Sequence, residues 1–131
     1  MNRESENHRG ETSAETAVLA PVLFVIVFSV VQLASYWMAS QTAIAAATRG
    51  ARAASMVTND RDSVRAGLAA VEQTITELRG ELSAPPVVAF HGRNVRVKVQ
   101  VATAAIVPFI THTVHRTIDM PREEYVHEKD R

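Results

Sequence analysis

Cysteine is absent from this sequence, so neither a disulfide nor a thiolate metal site is open to it, and redox chemistry does not fix its compartment. An excess of either charge is also lacking. Fourteen Lys and Arg stand against fourteen Asp and Glu, which leaves no net field to draw nucleic acid or an acidic partner. Aromatic residues make up 5% of the chain and none interleave with a basic patch, so a nucleic-acid surface is not expected. No Gly-rich strand-to-helix loop is present to cradle phosphate. Among the histidines, His112 and His115 invite a metal reading, but their odd separation sends them to opposite faces of a strand. No catalytic, cofactor-binding or metal-ligating residue emerges, and an enzyme is not expected.

What the chain does have is a long stretch without charge, from Thr16 to Thr48. Its first two thirds, Ala17 to Ala39, are apolar on every side and read as a membrane-spanning helix. At 1.5 Å rise per residue that helix is about 35 Å long, against a hydrocarbon core of about 30 Å. Pro21, Ser29 and Gln32 are its interruptions, and Pro21 is expected in the first turn or two, where a missing N–H costs least. A secretory signal would have a shorter apolar region, about 7–15 residues, so cleavage after Ala43-Ile44-Ala45 is disfavoured. Gln41 to Val57 is alanine-rich and free of proline, so the helix is expected to run on outside the membrane. Pro21, Ala43, Ala47, Gly50, Ala51 and Ala54 are the candidate helix-packing residues, the last five placing small side chains at three- and four-residue spacing. Alanine is also simply a good helix former, and the pattern alone does not separate the two.

The remainder reads as one small α+β head. Asn59 or Asp60 is placed to cap a second helix, along which Val64, Leu68, Val71, Ile75 and Leu78 form an apolar stripe, with Gly80 as the expected C-terminal cap. After Pro85 and Pro86 the period changes to two. Val87 to Phe90 is expected as a strand, His91 to Asn94 as a turn, and Val95 to Val101 as the return strand, with Val95, Val97, Val99 and Val101 on its buried face. Ala102 to Thr111 reads as an apolar loop, and Thr113 to Met120 as a third strand with Val114, Arg116, Ile118 and Met120 on one face. The expected division is a leader at 1–10, a long helix at 11–58 with its span at 17–39, an α+β head at 59–121 and a charged, frayed tail at 122–131.

Gly10, Glu15, Pro21 and Gly50-Ala51-Arg52-Ala53 follow one another in an order that resembles the TadE-like family, the minor pilins or pseudopilins of tight-adherence, Flp-type pilus systems. The likeness covers about residues 9 to 55. It implies cleavage by a prepilin-type peptidase between Gly10 and Glu11, where a residue without Cβ lets the backbone lie close in a protease groove. Glu15 would then be the fifth residue of the mature chain. A carboxylate at the edge of an apolar span costs energy to insert and invites a cationic partner, by resemblance the free α-amine of a neighbouring subunit, which sets register. Arg3 and Arg9 precede the span while Arg49 and Arg52 follow it, so charge does not orient it. The resemblance implies a cytoplasmic N-terminus, an extracytoplasmic head, and other pilins, the peptidase and the pilus assembly platform as partners. The alternative is an uncleaved, signal-anchored membrane protein with a small exported interaction domain.

Overall fold

The computed structural model describes residues 4–104 and 112–122, with side chains from residue 15 onward. Helix α1 runs Glu4–Ser55, 52 residues, or about 78 Å. The expected helix start at Glu11 is not a structural boundary, because the backbone of Glu4 to Gly10 is already helical. Once a helix is nucleated, each further residue gains a hydrogen bond for one residue fixed, and nothing in ESENHRG interrupts it. Pro21 therefore sits deep inside α1 and not in its first turns. Its ring takes away the amide that the Ala17 carbonyl would otherwise accept from.

Helix α2, Asp60–Glu77, begins as its sequence signals require. Asn59 is the N-cap, its Oδ1 accepting from the Arg61 amide at 2.9 Å, and Asp60 and Asp62 occupy the first turn, where the helix dipole favours negative charge. Its C-terminus departs from expectation. Arg79, not Gly80, takes the left-handed conformation at φ 52. Around it the Gly80 amide donates to Ile75 O at 2.9 Å and the Arg79 amide to Thr76 O at 3.2 Å, a Schellman closure. Gly80 serves another end: a Cβ there would stand 2.9 Å from Thr42 Cγ2 on α1.

Three antiparallel strands complete the head in the order β1-β2-β3, where β1 is Leu82–His91, β2 is Asn94–Ala102 and β3 is Thr113–Pro121. Strand β1 starts earlier than its sequence suggests, and Pro85 and Pro86 lie within it. They are tolerated because β1 is an edge strand and its register with β2 shifts between Leu82 and Ala84 and again between Ala84 and Val87. The β1–β2 hairpin closes His91 on Asn94 through Gly92, whose φ of 59 is the positive angle that a first central position demands in a II′ turn.

Both helices lie antiparallel on one face of the sheet, α1 over β2 and β3, α2 over α1 and β1. Val95, Val97, Val99 and Val101 are buried on that face, joined by Val114 from β3. Full burial of a valine is worth about 1.5–3 kcal/mol. Arg116, opposite Val99, shares the face because its guanidinium donates to Ser40 Oγ on α1 at 2.7 Å and to His115 O at 3.0 Å. On the other face Arg96 grips Asp119 with two hydrogen bonds, at 2.7 and 2.8 Å, and that guanidinium holds the Asp119 carboxyl below the usual carboxylate range.

Arg122, expected in a frayed tail, is anchored. Its guanidinium pairs with Asp60 at 2.7 Å, donates to the carbonyls of Val57 and Thr58, and stacks over the Phe90 ring at 5.1 Å. The side chain is 22% exposed. It ties the α1–α2 connection to the end of β3. The rest of the tail, 123–131, lies outside the described residues, as does most of the expected 102–111 loop. Arg122→Ala is expected to lower head stability by about 2–3 kcal/mol, since hydrogen bonds to a charged donor are worth about 1.5–3 kcal/mol. Thermal unfolding of the full chain in detergent measures it.

Candidate assembly surface on the N-terminal helix

Helix α1 is two surfaces in series. From Ala39 upward the head covers one side, burying Ala39, Ser40, Ala43, Ala46, Ala47, Gly50, Ala51, Ala54 and Ser55. The expected packing set of Ala43, Ala47, Gly50, Ala51 and Ala54 thus faces the chain's own α2 and sheet. Its tightest point is a glycine crossing: a Cβ on Gly50 would meet Val71 Cγ2 at 2.5 Å and Gly67 O at 3.1 Å, while one on Gly67 would meet Ala54 Cβ at 3.1 Å and Gly50 O at 3.2 Å. Just beyond, the Ser63 hydroxyl donates to Ala54 O at 2.6 Å, satisfying a carbonyl of the last turn. Arg49 donates to Glu77 at 2.7 Å, and this bond, with one from Gln73, holds the Glu77 carboxyl below its ordinary range.

Below Ala39 the helix is bare. Its most apolar 18-residue window is entirely uncovered by the rest of the chain, which distinguishes it from the core helix of a soluble fold. By length and composition it is able to cross a membrane once. Pro21 is exposed on this shaft, and Glu15 is exposed at its lower edge. Tyr36 and Trp37, 41% and 63% exposed, stand at its upper edge, where amphipathic aromatics favour a membrane–water interface.

Three polar side chains break the shaft, Ser35 in addition to the expected Ser29 and Gln32. The hydroxyls of Ser29 and Ser35 donate to Val25 O and Val31 O, one turn back, at 2.7 and 3.0 Å. Gln32 Oε1 is shielded and has no hydrogen-bond partner among the described residues. At 3.6 residues per turn Gln32 is in line with Gly50, the intervening 18 residues making five turns, so the shaft's polar side continues the side that the head covers. Backbone alone is described at Gly10 and Glu11, and it is helical through that junction.

Residues 10–52 match the family model for TadE-like proteins. The N-terminal helix is TadE-like. This match begins at Gly10 and ends at Arg52, taking in Glu15, Pro21, the bare shaft and Gly50, and stopping short of α2 and the sheet. No curated protein and no solved structure matches the chain.

Sequence reasoning missed Gly67, Arg79 and Arg122 as structural residues. Gly67 carried a signal, since a mid-helix glycine costs about 1 kcal/mol against alanine and asks for a packing reason. Arg122 carried none, because its partners come from a connection some 60 residues earlier.

Proposed function

We propose that this TadE-like chain is a minor pilin or pseudopilin: a structural, non-catalytic subunit of a tight-adherence, type IV-like pilus machine. In this reading a prepilin-type peptidase cuts between Gly10 and Glu11, the shaft spans the inner membrane with its N-terminus cytoplasmic, and the head lies outside. The shaft then packs sideways against other pilins at the assembly platform. One observation carries the reading: a single helix whose upper half is capped by its own head and whose lower half is bare on all sides. A buried helix needs no such shaft, and a simple tether needs no TadE-like pattern from Gly10 to Arg52. Gln32 supports lateral packing, because it places a hydrogen-bonding side chain on an otherwise apolar shaft, and a neighbouring helix offers such a group a partner in lipid.

The helix running unbroken through Gly10-Glu11 favours a second reading, since peptidases act on extended backbone: an uncleaved single-pass anchor carrying a small exported interaction domain. Intact-mass analysis of the chain from its native host separates the two. Processing predicts loss of Met1 to Gly10 in the native chain and full length in Gly10→Val. A native chain that still carries those ten residues overturns the pilin reading and leaves the anchor.

A further inference from the structure

The head's lower rim lies level with the upper end of the shaft. Helix α2 descends alongside α1, with Ser63 at Ala54, Val71 at Gly50 and Gly80 at Thr42. At its foot Leu78, Arg79, Ala102 and Ala104 line one groove together with Ser35, Met38, Ala39 and Thr42 of α1. From Met38 to Thr42 the axis rises about 6 Å. The polar layer on each side of a bilayer is about 5–8 Å deep. Any rim group at this height is therefore within the headgroup layer when Ala17 to Ala39 spans the hydrocarbon.

The rim's chemistry fits that place. Leu78 is 49% exposed, and Met38 beside it is 66% exposed. Arg79 is exposed, and its guanidinium has no hydrogen-bond or ion-pair partner among the described residues. It occupies a left-handed position that glycine adopts without penalty. An arginine held there against its backbone preference calls for a use of its side chain. Glu81 follows just past Gly80, so the rim has little net charge and its attraction is a contact with phosphate, not a long-range field.

We propose that this rim is a lipid-contact site, with Leu78 entering the acyl boundary and Arg79 binding lipid phosphate, so that the head stands on the bilayer. This rests on the shaft spanning the membrane. The docked rim fixes the tilt and rotation of α1 in the membrane, and with them the side of the shaft that meets a neighbour.

The absence of native cysteine makes the test direct. Single cysteines replace Phe28, Leu78 or Met56 in the full chain, carry an environment-sensitive fluorophore, and are reconstituted in vesicles of phosphatidylethanolamine and phosphatidylglycerol. Expected is deep-lipid quenching at Phe28, quenching at Leu78 by lipids labelled near the headgroup, and quenching at Met56 by aqueous iodide. Arg79→Glu should shift the ratio of docked to lifted head about fivefold, the equivalent of about 1 kcal/mol. Arg79→Gly should raise the melting temperature of the head and still reduce headgroup quenching at Leu78, a split that a merely structural arginine would not produce. If Phe28 reads deep while Leu78 reads like Met56, the rim proposal is overturned and the span stands. Iodide access at Phe28 overturns both.

Discussion

Gly50→Val is expected to unfold the head or lower its melting temperature by about 10–20 °C, while leaving membrane insertion of the shaft unchanged. At the α1–α2 crossing even a methyl group on Gly50 would stand 2.5 Å from Val71 Cγ2, 3.1 Å from Gly67 O and 3.4 Å from Val97 Cγ1. The first neighbour is a side-chain tip that is able to turn; the second is backbone, held by α2. Valine adds two further carbons to this space. Overpacking of a well-packed core costs about 1–3 kcal/mol and occasionally more, and each kcal/mol lowers the melting temperature of a small domain by about 4–8 °C. Circular dichroism and limited proteolysis at Arg61 and Arg65 in detergent read the loss. Trp37 fluorescence does not, because that side chain sits on the bare shaft. Gly50→Ala combined with Val71→Ala should be less damaging than the sum of the two single changes, since the second removes the atom that the first strikes. An additive result would place the strain elsewhere.

That crossing marks where sequence legibility ended. The apolar stripe of α2 and the alternation of β2 are periodic, and each strand or helix keeps its period whatever it packs on, so Val71, Ile75 and the four valines of β2 were readable as core. The small side chains of α1 were readable as a packing face, but not what covers them. Gly50 and Gly67 meet across a helix turnaround, a relation that neither helix states alone. Pro85 and Pro86 argued for a later strand start, and the rule that admits them holds only for an edge, which is a property of the sheet. The glycine at the end of α2 meets a different need from the cap its position suggests: closeness to Thr42 favours Gly80, while Arg79 bears the backbone turn. In the candidate site, the bare shaft was legible as a long uncharged, mainly apolar run. Under the proposed function, the partners of Glu15 and Gln32 belong to other molecules, and a single chain holds half of each such interaction.

Glu15→Ala should leave insertion and head stability unchanged and reduce co-assembly with other pilins by about 10–100-fold, the equivalent of the 1.5–3 kcal/mol that a charged hydrogen bond contributes. Insertion is spared because Glu15 precedes the apolar span, and losing a charge at its edge lowers the cost of entering lipid. Head stability is spared because Ala39, the first covered residue, lies 24 positions further along, about 36 Å up the axis. The carboxylate is exposed on the bare shaft, and among the described residues it has no hydrogen-bond or ion-pair partner to lose. Under the proposed function, what it loses is the partner for a neighbouring subunit's α-amine at the lipid boundary, where low dielectric makes an unpaired charge expensive. Glu15→Gln separates charge from shape: it keeps an acceptor but not the pairing, and should fall between the native chain and the alanine variant. The measurement is disulfide capture between single cysteines placed along the shafts of this chain and its assembly partners in the native host, with the Phe28 position as an insertion control. Native-level capture in Glu15→Ala, with the leader removed normally, would show that register along the bundle is set by the apolar shaft alone.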